Sequence, residues 1–118
     1  MKVKEIYENA LALNISRMEE EEDMEFFAIK LFNILLAETR AYNNQMRIYK
    51  GKKPLDAVKV TSLEDEMPYE DEFYAPLSYG LASKLLGAQE EINLAALYNN
   101  QYVTLLDMTV PAVEVEVE

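Results

Sequence analysis

The sequence contains no cysteine, no histidine and no tryptophan, and only three of its 118 residues are glycine. Without cysteine and histidine the chain has no disulfide, no thiolate nucleophile, no imidazole base and none of the usual zinc ligands. The glycines stand singly at positions 51, 80 and 87, so no glycine-rich loop can hold a phosphate. We therefore predict no enzymatic activity, no cofactor and no metal site. A paired-carboxylate hydrolase is left open only because acidic residues are plentiful.

Positive charge is also scarce. The chain has 22 acidic and 11 basic residues, for a net charge of −11. Such a surface repels phosphate backbones, so ordinary nucleic-acid binding is not expected. An acidic protein can still line a passage through which DNA slides, or it can imitate DNA. Apolar runs fall far short of the ~20 residues that a membrane helix needs, and we expect a soluble intracellular protein that does not contact membranes.

Two segments in the first half have the apolar spacing of helices. They cover residues 3–14 and residues 24–49, and the second is the stronger signal. It has one apolar stripe through Phe27 and Ile34 and another that begins at Phe26. A helix that is apolar on two sides is usually buried on two sides. We therefore predict that it is the central helix of a bundle or that one of its faces meets another subunit.

An acidic run lies between these two helices. Ser16 followed by Glu19 has the form of a capping box, and the acids of residues 19–25 suit the first turns of a helix. Successive side chains on a helix point about 100° apart, so these carboxylates do not converge on a cation. We expect a solvated acidic face, part of it a loop, rather than a metal site.

The character of the chain changes over residues 51–61. Pro54 ends helical structure, and the alternation of Val58 and Val60 with Lys59 predicts a short extended segment. A loop of this length between helices is uncommon unless it has a function. The basic residues in and just before it are Arg47, Lys50, Lys52, Lys53 and Lys59. The loop is either a solvated crossover or a basic arm that docks on an acidic neighbour, such as another copy of this chain.

An acidic turn and two further helices follow. The acidic turn, residues 62–72 around Pro68, lacks the spacing and the glycine of a calcium loop. In the next helix Gly80 costs roughly 0.5–1 kcal/mol relative to alanine, which predicts a second helix packed closely at that point. Residues 89–107 form the last helix, with Ile92 and Val103 on its apolar side. The short link between the two predicts antiparallel packing.

The C-terminal residues alternate after Pro111. Val113, Val115 and Val117 face one way, and three glutamates face the other. An extended segment with one apolar face must pair with an edge elsewhere. Residues 58–60 offer one such edge, and a neighbouring protein offers another by strand addition. A disordered end is the alternative.

Several stretches, in order over residues 1–107, resemble the small head–tail connector proteins of tailed bacteriophages and prophages, also called head-completion or adaptor proteins. They are MKVKEIYENALAL, FNILLAETRAYNN, SLEDEMPYEDE, LSYGLASKLL and the helix that contains NNQY. The block from SLEDEMPYE to SYGLASKLL is the most characteristic. The acidic run of residues 19–25 is not a motif of that family.

The resemblance implies a four-helix-type subunit that assembles as a ring of about twelve copies beneath the portal protein of a DNA-filled capsid. Such a ring extends the DNA channel, and DNA passes through it without specific binding. The ring also offers a platform for a tail or stopper protein. The implied location is the head–tail interface of the virion, with assembly in the host cytoplasm. No catalytic residue comes with the resemblance.

We therefore predict an all-α fold: a small four-helix-type bundle with a long crossover loop over residues 1–110, and an extended C-terminal tail over residues 111–118. The basic arm of one subunit would meet the acidic turn of the next, and the tail would dock on the portal or on a neighbour. The predicted contact residues are Arg47, Lys50, Lys52, Lys53, Glu64, Asp65, Glu66, Asp71, Val113, Val115 and Val117. The alternative function is an acidic DNA mimic or regulatory protein that binds a basic partner in a salt-sensitive way.

Overall fold

The computed structural model describes residues 1–14 and 24–109. In these residues the predicted all-α fold is confirmed, because four α-helices form and no strand does. The helices are α1 (Val3–Leu13), α2 (Met24–Tyr49), α3 (Tyr74–Ala88) and α4 (Ile92–Thr109), and a short 3₁₀ turn (Asp71–Phe73) precedes α3.

The N-terminus of helix α1 contacts the acidic turn, which lies far from it in the sequence. The N–H groups of Val3 and Lys4 donate to the carbonyls of Asp65 and Leu63, at 3.0 and 2.8 Å. The first N–H groups of a helix have no partner within the helix, so the acidic turn caps α1 with its backbone. The apolar side of α1, which includes Ile6, is buried.

Helix α2 has the bounds that its apolar spacing predicts, and Gly51 follows it with a φ of 78°, as a helix C-terminus favours. Of the two alternatives predicted for α2, the central position in the bundle is wrong, and a contact of one face with another subunit stays a prediction. Phe32 is fully buried, whereas Phe26 and Phe27 are exposed. One face of α2 therefore lies on the core and the other faces outward.

The central helix is α3 rather than α2. Helix α3 packs against α1, α2 and α4, and its residues from Pro76 to Leu86 are mostly buried. A β-carbon placed on Gly80 would lie 2.8 Å from Leu35 of α2 and 3.0 Å from Tyr102 of α4. The close approach predicted from this glycine is thus present, and it involves two helices.

Helix α4 runs antiparallel to α3, as predicted. Ser83 donates to the carbonyl of Ala95 at 2.7 Å, while Gly80, earlier in α3, meets Tyr102, later in α4. The start of α4 differs from the prediction, because the chain turns through Glu90 with a φ of 65° and becomes helical only at Ile92. Its predicted apolar side is also only partly buried, since Tyr102 is covered but Ile92 is 72% exposed.

Candidate interaction surfaces

The C-terminal end of α2 forms an ion-pair cluster with the acidic turn. The Glu70 side chain is 9% exposed, and its carboxylate lies 2.6 Å from Lys52 Nζ, 3.4 Å from Arg47 Nη1 and 3.5 Å from Lys50 Nζ. Lys50 also lies 2.6 Å from the carboxylate of Glu72. We call these five residues the Glu70 cluster. Three of the four cations predicted to meet a neighbouring subunit therefore have acidic partners within their own chain.

The ion pairs of the Glu70 cluster shift the pKa values of Lys50, Glu70 and Glu72 so that the charged forms are favoured. The hydrogen bond from Lys52 lowers the pKa of the Glu70 carboxyl, with further attraction from Lys50, although burial acts in the opposite direction. The hydrogen bond to Glu72 likewise raises the pKa of Lys50. The backbone N–H of Glu70 donates to Oδ1 of the buried Asn43 at 2.9 Å, which fixes the turn against α2. The two carboxylates of the cluster are thus held in place among its three cations.

The other acidic residues that were predicted to contact a neighbouring subunit interact with the start of α1 or within the acidic turn. Glu64 pairs with Lys2 at 2.9 Å, and Glu66 lies 3.2 Å from the N-terminal ammonium. Asp65 Oδ2 accepts hydrogen bonds from the backbone N–H groups of residues 61 and 62, which lowers the pKa of Asp65. Glu64 and Glu66 therefore hold the turn at the start of α1, Asp65 stabilises the turn itself, and Asp71 is exposed in the 3₁₀ turn.

Lys53 has an exposed side chain, and its carbonyl accepts a hydrogen bond from Arg47 Nε at 2.7 Å. Val113, Val115 and Val117 lie outside the described residues, as does the acidic run except for Glu25. The subunit contacts assigned to these residues stay predictions.

The crossover after α2 lies along that helix as a strap, which we define as residues 52–61. Oδ1 and Nδ2 of Asn44 bond the N–H and the carbonyl of Leu55, at 2.7 and 3.1 Å. Asn33 does the same for Val60, at 2.8 and 2.9 Å. The two asparagines are about 16 Å apart along α2, so the six residues from Leu55 to Val60, which span five Cα–Cα steps, must be nearly extended. The extended segment predicted here is present, although it joins no sheet.

Asparagine near the end of α2 is a poor helix former, and the strap explains its use. The asparagine amide carries both a hydrogen-bond donor and an acceptor. It can therefore bond the N–H and the carbonyl of the strap, as the backbone of a neighbouring strand would. The sequence pattern alone did not identify Asn33 and Asn44 as contacts. The signal that could have found them is their spacing, which places both on the side of α2 that the returning chain crosses.

Replacing Asn44 with alanine is expected to loosen the strap without unfolding the bundle. Two hydrogen bonds to Leu55 would be lost, at a cost of about 1–2 kcal/mol in local opening free energy. Trypsin should then cut after Lys52 and Lys59 about 5- to 30-fold faster, as measured by mass spectrometry of limited digests. Asn100→Ala on the exposed side of α4 is the matched control, and equal digestion of the two variants would contradict the clamp.

A groove opens where the strap meets the N-terminal half of α2. Its volume is about 560 Å³. We call it the strap groove, and its lining residues are Lys4, Glu25, Phe26, Ile29, Lys30, Asn33, Lys59, Val60, Thr61, Ser62, Leu63 and Glu64. Lys30 Nζ lies 5.4 Å from the centre of the Phe26 ring. The groove thus combines an apolar floor with three lysines, which is unusual on so acidic a chain.

Helix α2 also exposes an apolar stripe. Phe27 is 55% exposed, Ile34 is 49% exposed and Ile48 is 60% exposed. These positions are separated by multiples of seven residues, so they lie on the same side of the helix. The stripe extends over about 31 Å of α2. On α4, Ile92 and Val103 are exposed together, three turns apart. The chain therefore presents two different apolar surfaces.

Neither a metal site nor a membrane span is found in the residues that the structure describes. No group of three or more acidic side chains there could hold a metal ion. None of the described helices combines the length and the apolar character needed to cross a membrane.

Comparison with known proteins adds no relative. No protein-family model, no curated protein and no solved structure matches this chain. Its candidate function therefore depends on the surfaces described above and on the resemblance of its sequence motifs.

Proposed function

We propose that this chain is a structural subunit of a phage head–tail connector. It would assemble as a ring beneath the portal protein, extend the DNA channel and join the head to the tail. The resemblance of residues 1–107 to such connectors suggests this function, and a four-helix body agrees with it.

The observation that carries the proposal is the exposed apolar stripe of α2. A long helix with Phe27, Ile34 and Ile48 outward is the kind of surface that marks a protein–protein contact. Ring closure requires that two different surfaces of the same subunit meet head to tail. The exposed apolar residues of α4 offer a second surface, which supports such a contact.

The charge distribution also supports a passage for DNA. The net charge is −11, and the Glu70 cluster engages the cations at the end of α2 with acids of the same chain. These cations are therefore poor ligands for a phosphate backbone. A duplex moving past such a surface would be repelled rather than held.

The test is imaging of particles that contain the chain with Ile34→Gln and Ile48→Gln. Both side chains are exposed, so the subunit should fold normally while the apolar contact is lost. We expect heads that lack the ring and the tail and that lose their DNA. Ala88→Gln, at the exposed end of α3, is the control and should give normal particles.

Normal particles from the double variant would contradict the role of the stripe. A tight, salt-sensitive complex of the purified chain with a basic nucleic-acid-binding enzyme would instead favour the DNA mimic. A turnover reaction by the purified chain would contradict both functions.

A further inference from the structure

We propose that the strap groove receives the C-terminal segment, residues 111–118, of a second copy of this chain. The valines of the segment would lie on the apolar floor, and its glutamates would face the lysines of the groove. This inference rests on the proposed function for the presence of several copies side by side, and it names the contact between them.

The floor of the groove suits one face of an alternating segment. Phe26 is 60% exposed beside Ile29 and Leu63, so the groove offers apolar surface that the described part of the chain leaves uncovered. In an extended chain every second side chain lies on the same face, about 7 Å from the next. Val113, Val115 and Val117 therefore form one apolar edge, which can be buried as a unit.

The charges are complementary. The groove is lined by three lysines, Lys4, Lys30 and Lys59, and by two glutamates. Its local charge is therefore positive, although the net charge of the chain is −11. Lys30 and Lys59 have no acidic partner in the described residues. The glutamates at 114, 116 and 118 would supply such partners.

The strap also offers a free backbone edge. Asn33 engages both backbone groups of Val60, whereas residues 56–59 make no backbone hydrogen bond within the described part of the chain. Asp56, Ala57 and Lys59 are exposed. An extended peptide can pair with such an edge through its own N–H and carbonyl groups, as in strand addition.

The reach of the chain favours a second copy. Helix α4 contacts the 3₁₀ turn, and the pair of Glu72 with Lys50 places that turn at the C-terminal end of α2. The groove begins at Asn33, about 25 Å back along α2 at roughly 1.5 Å per residue. The four Cα–Cα steps from Thr109 to Val113 span at most about 14 Å. The valines of the same chain therefore cannot all lie along its own groove.

Peptide binding tests the groove in solution. The full-length chain is titrated into a fluorescent peptide of its last residues, TVPAVEVEVE, and anisotropy is recorded at low salt. We expect saturable binding that weakens at least about tenfold in the Lys30→Glu, Lys59→Glu double variant. Lys53→Glu, an exposed strap lysine outside the groove, should change the affinity less than about twofold.

A peptide in which three consecutive valines precede three glutamates should bind at least about tenfold more weakly, because its valines no longer share one face. Equal binding of the two peptides, equal effects of the groove and control variants, or no saturable binding would each overturn the proposal.

Disulfide trapping tests whether the segment comes from a second copy. The chain has no cysteine, so each variant carries a single thiol. A chain with Lys59→Cys is mixed with a differently tagged chain with Val115→Cys, and mixed disulfides are followed over time. They should form at least about tenfold faster than with Ala88→Cys in place of Lys59→Cys. Equal rates would overturn docking between copies.

The two proposals can fail separately. If the groove variants build normal particles and bind the peptide unchanged, tail docking fails and the connector function stands. If the peptide and disulfide results are positive but the chain is absent from particles, docking stands and the connector function fails.

Discussion

Replacing Gly80 with valine is expected to lower the free energy of unfolding by about 2–4 kcal/mol. A β-carbon there would lie 2.8 Å from Leu35 Cδ2 and 3.0 Å from Tyr102 Cδ1. The end of Leu35 can rotate, but the Tyr102 ring is buried and its hydroxyl bonds Glu38 at 3.3 Å. Helix α4 would have to move away from α3. Thermal unfolding followed by circular dichroism should show a midpoint about 10 °C lower or more.

Gly87→Val is the matched control for this prediction. A β-carbon on Gly87 would have no atom within 4 Å, and the residue is exposed near the end of α3. We expect a change of less than about 1 kcal/mol, since only helix propensity is affected. If both valine variants lost the same stability, the loss would come from the helix backbone and not from the contact at Gly80.

Reversing the charge of Glu70 is also expected to lower the free energy of unfolding by a large amount. Glu70→Lys would place a fourth cation among Arg47, Lys50 and Lys52, at a position only 9% exposed. Removing one partner of a buried ion pair costs about 3–5 kcal/mol, and the partial exposure of the cations lowers the expectation to about 3 kcal/mol. Urea unfolding at neutral pH measures this loss as a lower midpoint with an unchanged slope.

The neighbouring Asp71 provides the control for Glu70. It is exposed, so Asp71→Lys should change the stability by less than about 0.5 kcal/mol. Adding Lys52→Glu to Glu70→Lys restores the closest opposite-charge pair and should recover at least about half of the loss. An equal cost for the two lysine substitutions would show that overall charge, and not the Glu70 cluster, sets the effect.

Local apolar spacing was enough to predict that four helices form, although the last was expected to begin at residue 89 and begins at Ile92. The bounds of α2 follow from an unbroken apolar spacing that ends in a basic residue and Gly51. The antiparallel pairing of α3 and α4 follows from the short link between them. Gly80 predicted a close helix contact because glycine inside a helix is unfavourable unless space demands it.

Local pattern did not predict which surfaces of the helices contact each other. An apolar stripe shows that a face can be buried, but it does not say whether this chain or another covers it. The length of α2 suggested the central position, yet the shorter α3 takes it because it is apolar or small nearly all around. The strap was missed as a contact because Asn33 and Asn44 pair with backbone groups, so the side chains of the strap do not indicate their partners.

The ion pairs also could not be assigned to partners from the sequence. The separation of basic and acidic stretches along the chain suggested a contact between subunits. The same separation is satisfied within one chain, because the loop between Lys52 and Glu70 folds back along α2. Charge complementarity alone does not distinguish these two arrangements.

The capping of α1 by the acidic turn bears on the order in which the protein folds. Lys2 meets Glu64 across 62 positions of the chain, whereas α3 and α4 are joined by a link of a few residues. Bringing α1 to the acidic turn closes a longer loop than pairing α3 with α4, and a longer loop costs more conformational entropy. The hairpin of α3 and α4 can therefore form before α1 docks. Helix α1 has only 11 residues, and on its own it would be too short to persist in water. Its docking is therefore a late step that reports on completion of the whole bundle.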